Sequence, residues 1–281
     1  MAIREILLHI DTEGETAAGR MRSGFALSLA RQLDAHVTAL AFALDPYVPA
    51  MALAEMPVAI IDEQRTHIEK LARAAADAFS AEAERIGVSH SVHIATCAQA
   101  QALRVLSARG RVADLVVTGQ RSPQDELPIR EILIETALFE TGSPSVIVPY
   151  IGPAEARLDR LAIAWDGRRE VARAVHDAMP LLKLASSVEI VTIGKVGAAK
   201  GETHGADLQE ALARHDVMAE LRHIDGAASD VANILLSHAA DRSIDMMVMG
   251  GYGHSRLREM MLGGATRGIL ESMTVPVLMS H

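Results

Sequence analysis

The chain is poor in the residues that build disulfides, zinc sites and nucleic-acid platforms. It has one cysteine, Cys97, in 281 residues. That excludes an intrachain disulfide and any CxxC zinc site, and a reducing cytoplasm is the expected location. Phe, Trp and Tyr together make up 3%, too few to stack single-stranded nucleic acid. Positive charge is in deficit, with 27 Lys+Arg against 36 Asp+Glu and a net charge of −9. Such a surface repels phosphate backbones and anionic lipid, so neither nucleic acid nor membrane is an expected partner. The longest apolar run, around Val37 to Leu44, is far below the roughly 18 residues a bilayer span needs. The first residues, Met1-Ala-Ile-Arg-Glu5, lack the charged and apolar regions of a signal peptide. Lysine occurs only at Lys70, Lys183, Lys195 and Lys200, and no GxxxxGK[ST] motif is present. Any bound phosphate would have to be met by arginine, helix dipole or metal.

What is present is ordinary globular material, 49% apolar and 22% charged, long enough for two domains at about 150 residues each. The chain also repeats itself. Asp114-Leu-Val-Val-Thr-Gly119 matches Asp245-Met-Met-Val-Met-Gly250 at an offset of 131 residues, and Val146-Ile-Val148 matches Val277-Leu-Met279 at the same offset. Near each start, Ile6-Leu-Leu-His-Ile-Asp11 matches Leu161-Ala-Ile-Ala-Trp-Asp166. Matches at one offset, with a third in the right order, point to a tandem duplication.

Each copy reads as alternating strand and helix. In the first, strands are expected at Ile6–Asp11, Val37–Leu44, Ser91–Thr96, Leu115–Gly119 and Ser145–Pro149. Helices are expected at Thr16–Leu33, Asp62–Ile86, Ala98–Ala108 and Arg130–Glu140. The second copy repeats this with strands at Leu161–Asp166, Val188–Gly194, Met218–Ile224, Ile244–Gly250 and Val275–Ser280. Its helices are expected at Arg169–Leu184, near Ala206–His215, at Ser229–Ala240 and at Gly264–Ser272. Strands with continuous apolar runs are covered on both faces, and alternating βα units give parallel sheets. The fold class is therefore α/β with two tandem doubly wound sheets. Pro149, Gly152 and Pro153 mark the seam, giving expected domains 1–152 and 153–281.

The segment with the most chemistry runs from Gly250 through Gly251, Gly253, His254, Ser255, Arg256, Arg258, Gly263 and Gly264 to Arg267. It follows a buried strand and opens a helix. Glycine lets backbone approach a ligand closely, and the helix N-terminus offers unpaired N–H groups with the positive end of the dipole. That is an anion site by construction, and Arg256, Arg258 and Arg267 add local positive charge.

The pattern Gly250-x2-Gly253-x9-Gly263, followed by a small residue, resembles the nucleotide loop of the universal stress protein family. Val275-Pro-Val-Leu278 resembles that family's last strand, and Trp165-Asp-Gly167 the end of its first. The resemblance covers nearly the whole chain as two copies. It implies a five-stranded parallel sheet in order 3-2-1-4-5 in each copy, Rossmann-like and similar to the adenine nucleotide alpha hydrolases. Ligands in such sheets bind at the carboxyl ends where the order reverses.

The resemblance also implies an ATP site in the second copy. Asp166 would bond ribose or organise Mg2+ near the phosphates. The backbone at Thr192 and Ile193 would face adenine, and Gly250 would lie against ribose and the α-phosphate. Gly253, Gly263 and Gly264 would offer N–H groups to the outer phosphates, with His254 and Arg256 in reach. The family usually has Ser or Thr where Gly264 stands, and Thr266 would replace that hydroxyl. In the first copy the loop glycines map to Ser122, Ile132 and Leu133, and Glu126 and Glu131 bring the wrong charge. A β-branched Ile and a Leu at the helix mouth would block phosphate, so the first copy is expected to bind no nucleotide.

Other features point less far. Asp45-Pro-Tyr-Val-Pro-Ala-Met-Ala-Leu-Ala-Glu-Met-Pro57 is apolar and proline-punctuated: a loop packed over its own crevice, a dimer patch, or a lining for an apolar ligand. Of the 12 histidines no pair has metal-ligand spacing. Ser255 lacks the second glycine of a nucleophile elbow, so no hydrolase triad is expected. Cys97 reads as a small core residue. The leading reading is a cytoplasmic stress-response module binding an adenine nucleotide. A slow ATPase using the same pocket and an interaction scaffold without ligand are the alternatives. The family's single-copy members pair through their last strands, which implies an intrachain pseudo-dimer of the two copies through Val146–Val148 and Val277–Met279, with further homo-oligomers open.

Overall fold

The computed structural model describes residues 2–12, 16–46, 57–123, 129–194, 199–251 and 264–281. The N-terminal half runs β1 (Glu5–Ile10), α1 (Ala17–Leu33), β2 (His36–Leu44), α2 (Val58–Ile86), β3 (His90–Cys97), α3 (Gln99–Gly110), β4 (Leu115–Gly119), α4 (Ile129–Glu140) and β5 (Ser145–Val148). The C-terminal half runs β6 (Arg160–Ala164), α5 (Arg169–Leu182), β7 (Ser187–Gly194), α6 (Ala199–Ala213) and β8 (Ala219–Asp225). After a short 3-10 turn at Ala228–Asp230 come α7 (Val231–Asp241), β9 (Met246–Gly250), α8 (Gly264–Ser272) and β10 (Val277–Ser280).

The strands form one ten-stranded sheet in the order β3-β2-β1-β4-β5-β10-β9-β6-β7-β8. Within each half the neighbours are parallel and the order is 3-2-1-4-5, as expected. The halves meet where β5 runs antiparallel to β10, with Val277 opposite Ile147 and Leu278 opposite Val146. These four residues are essentially inaccessible to solvent. The last strand of each half thus has no open edge on that side, which removes a template for mispairing.

The apolar runs are covered on both faces. Ile6, Leu8 and Ile10 pack with Phe25 and Leu29 of α1 and Phe79 of α2, in a cluster that continues through Leu161, Ile163 and Val175 of α5. On the opposite face Leu7, Leu40 and Phe42 meet Leu106 of α3 and Leu133 of α4. In the C-terminal half Met247 and Met249 meet Leu235 of α7 and Ile269 of α8. Thr16 starts α1, its hydroxyl accepting from the Gly19 N–H at 3.0 Å, an ordinary N-cap.

Several boundaries differ from the sequence reading. α2 starts at Val58, where Pro57 holds the N-cap and its carbonyl accepts from the Ile60 N–H at 3.0 Å. α6 starts at Ala199 rather than near Ala206. β10 starts at Val277 because Pro276 lacks the N–H that would extend the ladder. Of the apolar segment 45–57, residues 47–56 lie outside the described residues.

Candidate functional site

The carboxyl ends of β7, β6 and β9 are side by side. Ala164 of β6 pairs with Val191 of β7 on one side and with Met249 of β9 on the other. Asp166 therefore lies just past the end of β6 and Gly250 ends the neighbouring β9, while Thr192 and Ile193 lie near the end of β7. The strand order reverses between β6 and β9, the place where open α/β sheets leave a crevice.

Asp166 is exposed. Its Oδ1 accepts from the Arg168 N–H at 3.0 Å, and the Arg168 guanidinium stands 3.6 Å from Oδ2. The carboxylate thus holds the turn into α5 and still faces solvent. Gly250 is required by packing. A Cβ built on it would fall 2.7 Å from the Val171 nitrogen and 3.0 Å from the Glu170 carbonyl carbon, so the first turn of α5 lies directly on the end of β9. Gly264 is the opposite case. It is the exposed first residue of α8, and among the described residues a Cβ built there meets nothing within 4 Å.

Thr192 is buried with 3% exposure. Its hydroxyl donates to the Arg222 carbonyl at 3.4 Å and lies 3.1 Å from His223 Nδ1, so the side chain is engaged within the sheet layer. Ile193 packs against the cluster under α7 and α8. Thr266 is buried with 5% exposure. Arg267 turns along α8 to Glu271, at 2.6 Å, which directs its charge along the helix surface. Gly253, His254, Arg256 and Gly263 lie outside the described residues.

Sequence reasoning did not find Glu170. It is 7% exposed in the first turn of α5, and its Oε1 accepts from Arg169 Nε at 2.7 Å. Burial raises its pKa, but the Arg169 hydrogen bond, a backbone N–H and the charge of Arg169 hold it below the usual carboxylate value. A carboxylate at a helix N-terminus is favourable, and this one borders Gly250.

The corresponding crevice of the N-terminal half is built differently. Asp11, just beyond β1, is enclosed by two arginines. Arg22 of α1 places Nη2 at 2.6 Å from Asp11 Oδ1, and Arg130 of α4 places Nη1 at 2.8 Å from the same oxygen. Side-chain exposures are 5% for Asp11, 2% for Arg22 and 13% for Arg130. Burial raises the Asp11 pKa, and the charge of Arg22 and the Arg130 hydrogen bond overcome it, holding the carboxyl well below its usual range. His9 stacks at 5.4 Å on Phe42. Burial first, then the charge of Arg22, lower its pKa to about 3, so its imidazole is neutral at pH 7. Ile132 and Leu133 do not form the helix mouth expected of them. α4 begins a turn earlier, at Ile129, and Leu133 faces the core. Arg22 lies in the crevice instead. One signal was readable: Arg22 sits three residues before Phe25, on the apolar face of α1.

The model of the universal stress protein family matches residues 158–281. The C-terminal half belongs to the universal stress protein family. Among curated universal stress proteins, Slr1230 of Synechocystis is 24% identical over 123 residues, 43% of this chain and 42% of that protein. YxiE of Bacillus subtilis is 34% identical over 70 residues, 25% of this chain and 45% of that protein. The chain thus spans under half the length of these curated relatives. A crystal structure of a universal stress protein from Archaeoglobus fulgidus aligns with a TM-score of 0.73 at 12% identity, covering 97% of each chain. That likeness establishes the fold over both halves. No described helix is long and apolar enough to cross a membrane.

Proposed function

We propose that the universal stress protein domain binds an adenine nucleotide of the ATP type in its β6/β9 crevice, and that the protein acts as a cytoplasmic binding and regulatory module in a stress response. The observation that carries this reading is that exposed Asp166 follows β6, next to the strand that ends in Gly250, and that Gly264 opens α8 after that strand. A carboxylate for ribose hydroxyls or a cation, and helix-end amides for phosphates, are what a nucleotide needs. Gly253, Gly263, His254 and Arg256 would complete the phosphate contacts.

Among the described residues no group of three His, Cys, Asp or Glu side chains could hold a metal. Mg2+ commonly binds through one or two carboxylates together with substrate phosphates. Asp166 fits that requirement, and the ion would supply charge neutralisation to the phosphates. We divide the chain at 1–152 and 153–281, with the N-terminal half as a degenerate copy. The antiparallel β5–β10 seam supports reading the halves as an intrachain pseudo-dimer.

Calorimetric titration of ATP into the intact protein tests the reading. One site per chain, lost in Asp166→Ala, is expected; two equal sites or no heat would overturn it. Phosphate release separates binding from turnover. A rate below about one per minute, the same in Asp166→Ala, is expected for a binding module, and a faster, Asp166-dependent rate identifies an ATPase.

A further inference from the structure

Each half ties down a strand end of the other across the β5–β10 seam, and the two ties are built differently. Gln120 follows β4 and is 2% exposed. Its side-chain amide donates to the Leu270 carbonyl of α8 at 2.9 Å, and its side-chain oxygen accepts from the Tyr150 N–H at 3.2 Å. The end of β4 thus grips the other half through its own side chain. At the offset of 131 residues the counterpart of Gln120 is Gly251, that of Tyr150 is His281, and that of Leu270 is Phe139. Gly251 has no side chain with which to reach across.

His281 makes the tie instead. Its Nδ1 lies 3.1 Å from the Gly251 carbonyl oxygen. A carbonyl only accepts, so the imidazole carries a proton on Nδ1 and donates it. The same ring meets the Phe139 ring of α4 edge-to-face, with centroids 4.7 Å apart and planes at 81°, a favourable aromatic geometry. The Gly251 N–H donates to the Ser280 carbonyl at 2.8 Å. A Cβ built on Gly251 would fall 3.7 Å from Leu138 Cδ2, so the backbone here rests on α4 of the N-terminal half. Gly251 is joined by one rigid peptide plane to Gly250, the residue read as lying against ribose and the α-phosphate.

We infer that His281 is a positioning residue for the β6/β9 crevice, and that the N-terminal half completes this site by seating Gly251 through Phe139 and Leu138, a role that rests on the nucleotide reading. Glycine at 251 frees the strand end for close approach of a ligand and gives up the side chain that holds the equivalent strand end in the other copy. His281 restores that hold from the far side of the strand end.

The test uses the full chain. Amide exchange at Gly251 is measured without nucleotide, and ATP is then titrated calorimetrically. His281→Phe keeps a ring beside Phe139 and removes the N–H donor, whereas His281→Gln keeps a donor and removes the ring. His281→Phe should speed exchange at Gly251 and weaken ATP by about twofold to tenfold, the weight of one hydrogen bond. Its melting temperature should stay near that of the parent, because His281 lies past the end of β10. His281→Gln should recover most of the affinity, and Phe139→Leu should weaken ATP although it stands in the other half. A role confined to stabilising the seam would lower the melting temperature and leave ATP affinity unchanged, which would overturn the inference. Unchanged exchange at Gly251 in His281→Phe would overturn it too. A parent that binds no ATP removes the nucleotide reading, and exchange at Gly251 still decides whether His281 seats the strand end.

Discussion

Arg22 lies across Gly119. A Cβ built on that glycine would collide with Arg22 Nη1 and fall 3.2 Å from Cζ. The guanidinium is thus held between the end of β4 and the Asp11 carboxylate, with 2% of its side chain exposed. Gly119→Ala should push it off Asp11 and destabilise the protein by about 1–3 kcal/mol, the usual cost of overpacking. The effect should be coupled to Arg22. In a double-mutant cycle with Arg22→Lys, whose ammonium is more compact, the combined cost should fall short of the sum by about 0.5 kcal/mol or more. Chemical denaturation of the four proteins checks it, and simple additivity would contradict the contact.

Gly264 gives the opposite expectation. With no described residue within 4 Å of a Cβ there, Gly264→Ser should leave the melting temperature unchanged or higher, since glycine is a poor residue for a helix. It should also tighten ATP binding several-fold by adding a hydroxyl where the family usually has one. Thermal melts and ATP calorimetry read the two effects independently.

His9 should make the protein acid-sensitive. Its folded pKa is lowered from 6.5 to about 3 by burial and by Arg22, so the unfolded chain takes up a proton that the folded one refuses. The stabilisation is complete above about pH 6.5 and is lost as pH falls toward 3, with a slope approaching about 1.4 kcal/mol per pH unit midway. Asp11 contributes in the same direction, but only below the ordinary carboxylate range. Urea denaturation between pH 6.5 and 4.5 should show the slope in the parent, and His9→Leu should flatten it.

Glu189 of β7 ties α7 to the sheet. It is 4% exposed, with His238 Nε2 at 2.7 Å from Oε2 and Arg242 Nη2 donating to Oε1 at 2.7 Å. Burial raises its pKa, and the hydrogen bonds from Arg242 and His238 bring it below the normal value. Glu189→Ala should cost about 2 kcal/mol, the scale of a charge-assisted buried bond. Arg242→Ala should cost less, because that side chain is 47% exposed. Thermal denaturation of the two variants gives the ranking.

The patterning of the chain determined much by itself. Continuous apolar runs at Ile6–Ile10, Leu115–Val117 and Met246–Met249 specify strands buried on both faces, because only helices covering both sides satisfy them. The repeated Asp-to-Gly segments announced two copies, and the placement of Asp166 and Gly250 at neighbouring strand ends follows from strand order. Gly250 was legible as a special position, but its cause was not: it admits the backbone of α5.

Tertiary structure alone decided the rest. Asp11, Arg22 and Arg130 are far apart in sequence, and nothing local tells whether a charged residue on an apolar helix face points outward or into a crevice. The antiparallel seam between Ile147 and Val277 and the anchoring of α7 through Glu189 are likewise long-range facts. Local sequence selects elements through short-range sterics and periodicity. Ion pairs and cavities depend on which distant surfaces are brought within a few ångströms, and only the folded chain determines that.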